Sequence, residues 1–199
     1  MSRYTIEFTN KTTSTWTFCV YQKYPNSPGI KSVAWKQTTI PTQGQSGVEW
    51  NTQYQACIVD YKQVGGKGVY KASQTLNANL GQRWKCVFQD KVQQLLKDGK
   101  ADDGGQLVIA NQSNRKANLG IGMDGDVAAI KEDVYSANSA QFDATPKYYV
   151  AVYKDLEHGE IITSNQIHEP IEVAFEGGLM AKKYEAVEEG ATFVFREVD

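Results

Sequence analysis

Apolar and polar side chains alternate along most of the chain, as they do in β-strands that bury one face. In the first such run the apolar residues Tyr4, Ile6 and Phe8 are separated by threonine and glutamate. Similar short runs, rich in Val, Ile, Thr and aromatic residues, recur between turns rich in Gly, Asn, Asp, Ser and Pro. The pattern predicts an all-β protein: a single-domain β-sandwich over residues 1–199, with roughly ten or more mostly antiparallel strands.

Two local signals refine this prediction. Gly65 and Gly66 separate two strand-like runs, and paired glycines supply the positive φ angles of a tight hairpin. Residues 90–98 break the β pattern, because Asp90 is a candidate helix N-cap with Gln93 three residues later. Two leucines and then a glycine follow, so the sequence predicts one short helix near residues 90–98.

The composition of the chain excludes several function classes. Of the 199 residues 41% are apolar, enough for a core, and 21 basic against 23 acidic residues give a net charge of -2. Because the chain has no overall basic field, no nucleic acid partner is expected. No apolar run approaches the length of roughly eighteen residues that spans a bilayer, so no transmembrane segment is predicted. The N-terminus shows strand alternation in place of a signal peptide, so we expect a cytoplasmic protein, with non-classical export as the alternative.

Charge is unevenly distributed along the chain. Residues 1–156 contain 18 basic and 13 acidic residues, whereas residues 157–199 contain 3 and 10. The favoured interpretation is that the acidic strands pair beside basic ones within one chain. The alternative is self-association of copies, basic face to acidic face, which builds homo-oligomers, rings or filaments.

Three cysteines, Cys19, Cys57 and Cys86, cannot all pair within one chain, and each lies in a strand-like run. We interpret them as reduced thiols that pack as small apolar side chains. A reactive thiol is the less favoured alternative, because no local charge is evident that would lower its pKa. The spacing of the cysteines also does not match a metal site.

Two histidines, His158 and His168, flank a predicted strand and are expected at the surface in turns. A serine or cysteine triad requires a histidine within hydrogen-bond reach of a nucleophile and a carboxylate, and no Gly-x-Ser-x-Gly motif marks such a nucleophile. The ends of a strand of about seven residues lie about 20 Å apart, which excludes one metal site shared by both histidines. No catalytic residue is assigned, and an enzyme that uses His158 or His168 is kept as the last alternative.

Paired carboxylates at Asp124 and Asp126 lie in a predicted turn, where oxygen ligands for calcium are often found. The remaining positions of an EF-hand loop are missing, so no metal-binding residue is assigned and cation binding by this pair stays open. Gly120 and Gly122 do not form a dinucleotide fingerprint, since no helix is predicted after them. No cofactor is therefore predicted.

Aromatic residues are the most suggestive remaining feature, with eleven tyrosines and four tryptophans. Tyr148 and Tyr149 must point to opposite faces of one strand, which also contains Tyr153. At least one of these rings therefore points away from any single core, towards another sheet, a ligand or a partner chain.

Several segments resemble the rhizosphere-induced RhiA-like family of bacterial proteins. They are Tyr4-Thr-Ile-Glu-Phe-Thr-Asn10, Trp16-Thr-Phe-Cys-Val-Tyr-Gln22, Ser32-Val-Ala-Trp35, Gly120-Ile-Gly-Met-Asp-Gly125 and Pro146-Lys-Tyr-Tyr-Val-Ala-Val-Tyr153. The resemblance covers most of the chain. It implies an abundant bacterial protein linked to growth near a host or in dense populations, and it carries over no catalytic residue.

The sequence thus predicts a non-enzymatic bacterial protein that acts by surface recognition or by self-association into homo-oligomers or filaments. The first alternative is a glycan- or lipid-binding module, for which we expect a cluster of exposed Trp or Tyr side chains with polar neighbours. The ligand, the symmetry of any oligomer and the route of any export are not encoded in these patterns.

Overall fold

A computed structural model describes residues 3–143 and 145–199, which contain β-strands and turns and no helix. Strands β1 to β17 span, in chain order, Arg3–Asn10, Trp16–Lys23, Lys31–Ser32, Lys36–Ile40, Gln45–Asn51, Tyr54–Val64, Lys67–Asn77, Gln82–Gln89, Val92–Lys100, Gln106–Asn111, Ala117–Met123, Asp126–Val134, Ser139–Asp143, Lys147–Tyr153, Ile171–Val173, Ala181–Glu189 and Thr192–Val198. The predicted all-β class is confirmed.

The strands form four sheets, with the orders β17-β16-β1-β5 (sheet I), β15-β14-β2-β4 (sheet II), β3-β12-β11-β6-β7 (sheet III) and β13-β10-β8-β9 (sheet IV). Neighbouring strands are antiparallel except for the parallel pairs β1–β16 and β8–β10. Sheets I and II enclose one apolar core, and sheets III and IV enclose another. We call the first pair the terminal sandwich and the second the central sandwich. The sandwich-like, mostly antiparallel architecture is therefore confirmed, whereas the single-domain organisation stays a prediction.

The two sandwiches have the same topology. Strand β1 pairs antiparallel with β5 and parallel with β16, and β10 pairs in the same senses with β13 and β8. Strand β2 lies between β4 and β14, as β11 lies between β12 and β6. Strands β1, β2, β4 and β5 thus correspond to β10–β13, and β14–β17 correspond to β6–β9.

A buried asparagine marks the same corner in each sandwich. The Asn10 side-chain amide donates to the Ile40 carbonyl at 3.0 Å, and its oxygen accepts from the Thr12 hydroxyl at 2.8 Å. The Asn111 amide donates to the Val134 carbonyl at 2.7 Å, and its oxygen accepts from the Ser113 hydroxyl, also at 2.7 Å. In both, the amide satisfies backbone groups that would otherwise be buried without partners.

The shared corner and strand order indicate that residues 3–100 and 106–198 are two copies of one unit. Each copy contributes four equivalent strands to each sandwich, because β1, β2, β4 and β5 pack with β14–β17 while β6–β9 pack with β10–β13, and the short strand β3 is an addition at the edge of sheet III. The central sandwich is consequently almost continuous in sequence, and the terminal sandwich joins the two ends of the chain.

The helix predicted near residues 90–98 is wrong. This segment is strand β9, which forms a hairpin with β8. Asp90 and Lys91 have φ angles of 51° and 68°, the left-handed conformations of a tight two-residue hairpin turn, which excludes a helix start here. Leu95 is buried while Leu96 is 37% exposed, so these leucines follow strand alternation. The hairpin predicted at Gly65 and Gly66 is confirmed, with β6 and β7 as its strands.

Residues 154–162, which we call the clasp, connect the two sandwiches. The Gly159 amide donates to the Ala34 carbonyl at 2.9 Å, and the Gly159 carbonyl accepts from the Tyr70 amide at 2.8 Å. Gly159 has a φ of 86°, and an added Cβ would lie 2.4 Å from the Tyr70 carbonyl oxygen. A side chain does not fit there, so the close approach of the clasp to β7 requires glycine.

Candidate functional site

The clasp places His158 beside one of the predicted carboxylates. Its Nε2 lies 3.0 Å from the Trp35 carbonyl oxygen and 3.5 Å from Oδ1 of Asp126. The ring borders a shallow recess of about 320 Å³ and its side chain is 46% exposed. No hydroxyl or thiol is among the hydrogen-bond partners described for His158, so the structure offers it a carboxylate but no nucleophile.

Asp124 and Asp126 face a lysine. The Lys36 ammonium lies 2.5 Å from Oδ2 of Asp126 and 3.4 Å from Oδ2 of Asp124, and Asn51 donates to the other oxygen of Asp124. The lysine supplies the positive charge that a bound cation would otherwise provide. Nowhere in the described part of the chain do three or more His, Cys, Asp or Glu residues form a group that could hold a metal ion.

The other histidine lies elsewhere. Nδ1 of His168 is 2.8 Å from the carbonyl oxygen of Glu169, and its ring meets Phe195 edge-on at 6.3 Å between ring centres. The segment between the two histidines forms only isolated bridges at Glu160 and Ile161, so the strand predicted there is wrong. The structure does not bring His158 and His168 into one site.

The three cysteines are buried free thiols, in agreement with their predicted packing role. Burial raises the pKa of Cys19 and of Cys57 to about 12, and that of Cys86 to about 11. These thiols are therefore protonated at neutral pH, and the structure favours packing over the reactive-thiol alternative.

The tyrosines of β14 diverge as the strand alternation predicts. Tyr148 packs in the core of the terminal sandwich, 5.4 Å from the Trp50 ring centre. Tyr149 lies on the opposite face of sheet II, stacked on Tyr21 with ring centres 5.5 Å apart and planes 18° apart. Tyr153 is fully buried on that same face. The ring that points away from the main core is thus partly exposed Tyr149, which lines an open groove.

Tryptophan does not form the exposed cluster expected of a glycan-binding module. Trp35, Trp50 and Trp84 are at most 2% exposed. Trp16 is partly buried and packs edge-on against Phe193, with ring centres 5.5 Å apart. Any aromatic platform for a ligand must therefore use phenylalanine or tyrosine.

An open groove of about 780 Å³ lies in the central sandwich, between the edge strands β7 and β9. We call it the edge groove. The side chains that characterise it are Phe88, Lys91, Val92, Gln93, Arg115 and Lys116.

Three local features build one wall of the edge groove. The left-handed turn before β9 presents Lys91, and Gln93 donates to the Lys116 carbonyl at 3.0 Å and so fixes the loop of residues 112–116. The Arg115 guanidinium lies 4.0 Å from the centre of the Phe88 ring, in cation–π contact. An exposed ring and a guanidinium are thereby held as one surface.

The charge of the edge groove is positive. Lys91, Arg115 and Lys116 line it, and Asp60 is the acidic side chain on the opposite wall. Among the ion pairs formed by described residues, only that of Lys116 with Asp133, at 3.8 Å, involves any of these cations. Lys91 and Arg115 therefore face the groove without a carboxylate partner.

The corresponding region of the terminal sandwich is closed. When the strand pairs of the two sandwiches are aligned, Phe193 is equivalent to Gln93 and Trp16 is equivalent to Ala117. Trp16 packs against Phe193 in the terminal sandwich. His168 also packs on Phe195 in this region. The sequence pattern did not predict the edge groove, because Phe88 and Arg115 are far apart in the chain and only the fold brings them into contact.

Comparison with known proteins identifies the family. The RhiA family model matches residues 1–197. The chain belongs to the RhiA family. Protein RhiA of Rhizobium leguminosarum bv. viciae is 26% identical over 187 residues, which cover 87% of this chain and 78% of that protein. The predicted resemblance to RhiA-like proteins is confirmed. No solved structure matches the chain, and no described element is a helix long and apolar enough to cross a bilayer.

Proposed function

We propose that this RhiA-family protein is a non-enzymatic recognition protein and that its edge groove binds an acidic glycan. The observation that carries the proposal is the Phe88–Arg115 pair beside unpaired Lys91, all on the wall of one open groove.

Each group in the groove suits a part of such a ligand. A sugar ring presents an apolar face that packs on an aromatic ring such as Phe88. The Gln93 side-chain oxygen offers an acceptor for a hydroxyl group, because its amide N–H groups already donate to Ser113 and Lys116, and the Gln94 amide offers a donor and an acceptor. Arg115 and Lys91 suit a carboxylate or sulfate, because a guanidinium binds such anions through two parallel hydrogen bonds.

The test is titration calorimetry of the full chain with an oligogalacturonate and with a neutral oligogalactoside of equal length. We expect the acidic oligomer to bind more tightly. Phe88→Ala and Arg115→Gln should each raise its Kd about tenfold, which corresponds to about 1.4 kcal/mol. Lys62→Gln, at an exposed lysine outside the groove, is the matched control and should leave the Kd unchanged. Failure to bind uronate, sulfated and sialylated oligosaccharides alike would contradict the proposal.

Self-association is the second candidate, favoured by exposed apolar side chains on the β8–β9 hairpin. Val92 is 53% exposed, and Phe88 and Leu96 are each 37% exposed beside the unpaired edge of sheet IV. Unpaired edges with apolar side chains are sites where a second chain can add a strand. We therefore place any contact between copies at this edge.

The distribution of ion pairs gives less support to assembly through opposite charges. Glu160, Glu172 and Glu185, all from the acidic residues 157–199, pair with lysines from residues 1–156 of the same chain. Light scattering over a dilution series at low and high salt tests both routes. Assembly through the β9 edge should persist in salt and be lost in Leu96→Lys, whereas a monomer at every concentration excludes self-association.

A further inference from the structure

A second groove, of about 530 Å³, lies where the clasp meets sheet II and the β2–β3 loop. We call it the junction groove. The groove is lined by three isoleucines, Ile30, Ile161 and Ile162, and by Tyr149, Lys23 and Lys147.

The wall of the junction groove is apolar because three core clusters meet there. Ile30 packs against the core of the central sandwich, Ile162 against the cluster behind sheet II, and Ile161 against the cluster behind sheet III. Each isoleucine is only partly buried and gives part of its surface to the groove. Tyr149 also lines the groove, and its orientation is fixed by stacking on buried Tyr21 and by a hydrogen bond from its hydroxyl to Glu172 at 3.1 Å.

The rim of the junction groove is basic. Lys147 pairs with Glu172 at 3.1 Å, and Lys31 pairs with Glu132. The Lys23 ammonium lies 4.5 Å from the centre of the Tyr149 ring, and no ion pair of the described residues includes it. The carboxylate that its charge acts on, Glu172, is already paired with Lys147. Lys23 therefore stands at the mouth of an apolar groove without an ion pair of its own.

We propose that the junction groove binds a free acyl carboxylate of medium chain length, with the alkyl chain against the three isoleucines and the carboxylate at Lys23. A groove of this volume lies within the range of small-molecule sites, which combine an apolar lining with a few placed polar groups. The alkyl chain buries apolar surface, and the charge of Lys23 complements the carboxylate.

The counterpart region of the central sandwich lacks these features. By register, Gly122 stands where the terminal sandwich has Tyr21, Gln55 where it has Tyr149, and Asp124 where it has Lys23. The stacked rings and Lys23 are thus found in the terminal sandwich alone, as expected of a ligand site and not of a requirement of the fold.

Titration calorimetry of the full chain with decanoate, decanol and acetate tests the proposal. We expect saturable decanoate binding with a stoichiometry of one, decanol binding at least tenfold weaker, and no heat with acetate. Lys23→Gln should weaken decanoate at least tenfold and leave decanol unchanged, whereas Ile161→Asn should weaken both. Lys154→Gln, at an exposed lysine of the clasp, is the matched control and should bind decanoate normally.

The edge-groove variant Arg115→Gln should also bind decanoate normally, which separates this site from the glycan proposal. Lys23→Gln changes a surface residue, so its thermal unfolding should match the parent and keep the test valid even if Ile161→Asn does not fold. Absence of decanoate binding overturns the inference, as does binding that is insensitive to Lys23→Gln. Binding only of decanoate-containing vesicles, and not of free decanoate, would overturn it as well.

Discussion

Between its sheets the terminal sandwich packs mainly rings, whereas the central sandwich packs mainly aliphatic side chains. Phe8 and Phe18, with ring centres 5.1 Å apart, fill the first core. Counted from the two corner asparagines, the equivalent positions in the second core are Ile109 and Leu119. The strand order is the same in both, so topology depends on the corners and on the alternation of apolar positions, while the core tolerates different shapes of equal hydrophobic character.

The space between the outer edges differs in a way that bears on function. In the terminal sandwich Trp16 and Phe193 pack against each other there, whereas in the central sandwich Gln93 lines the edge groove and the small side chain of Ala117 is buried in the core. Because the duplicated unit provides two separate cores, one sandwich can lack the contact between its outer edges without loss of the whole fold. The edge groove is therefore where divergence between the copies has produced an accessible polar surface.

The equivalence of the two cores is tested most strongly by Phe18→Ala and Leu119→Ala. Both side chains are fully buried, so we expect losses of unfolding free energy of about 3–5 and 2–5 kcal/mol. Urea unfolding followed by near-ultraviolet circular dichroism and by fluorescence measures both. A single-domain protein should show one coincident transition in each variant. Two transitions, only one of which shifts in each variant, would show that the sandwiches unfold independently.

A sharper comparison uses the corner asparagines, Asn10→Ala and Asn111→Ala. Each substitution leaves buried backbone groups without a hydrogen-bond partner, so we expect a loss of about 3 kcal/mol in either sandwich, measured by urea unfolding. Asn79→Ala, at an exposed position, is the control and should change stability by less than about 0.5 kcal/mol. A large effect at only one corner would break the proposed equivalence of the two copies.

Much of the fold was predictable from local pattern. The alternation at Tyr4, Ile6 and Phe8 and the paired glycines at 65–66 indicated the strands and the hairpin that the structure contains. The segment after Asp90 gave the wrong prediction of a helix. An acidic residue followed three residues later by glutamine is a capping pattern of helices, but Asp90 here lies in a left-handed turn. Pairing with β8, a tertiary interaction, favours the strand over the helix for this segment.

The internal duplication and the two grooves could not be predicted from the residue pattern of single segments. The repeated feature is an asparagine followed two residues later by Thr12 or Ser113, which is too short to stand out in a single sequence. The edge groove combines Phe88 with Arg115, and the junction groove combines Lys23 with Ile161. Such sets depend on which strands become neighbours, and alternation along one strand does not specify that.

The smallest expected effect concerns charge, since Glu185 in the terminal sandwich occupies the place of Lys85 in the central one. Hydrogen bonds from Lys11 and Arg196 lower the pKa of the Glu185 carboxyl from its ordinary 4.5. The carboxylate therefore stabilises the fold above pH 4.5, and this contribution is lost as the pH falls through the lowered pKa.

Glu185→Gln should accordingly cost about 1 kcal/mol at pH 7, because both partners are half-exposed and screened by solvent. The difference from the parent should shrink as the pH falls below 4.5. Thermal unfolding across a pH series measures it, with Lys85→Gln as the matched change in the central sandwich, where the single, longer contact of Lys85 with Asp98, at 3.3 Å, should contribute less. If the difference between Glu185→Gln and the parent stayed constant with pH, the ion pairs of Glu185 would not be its cause.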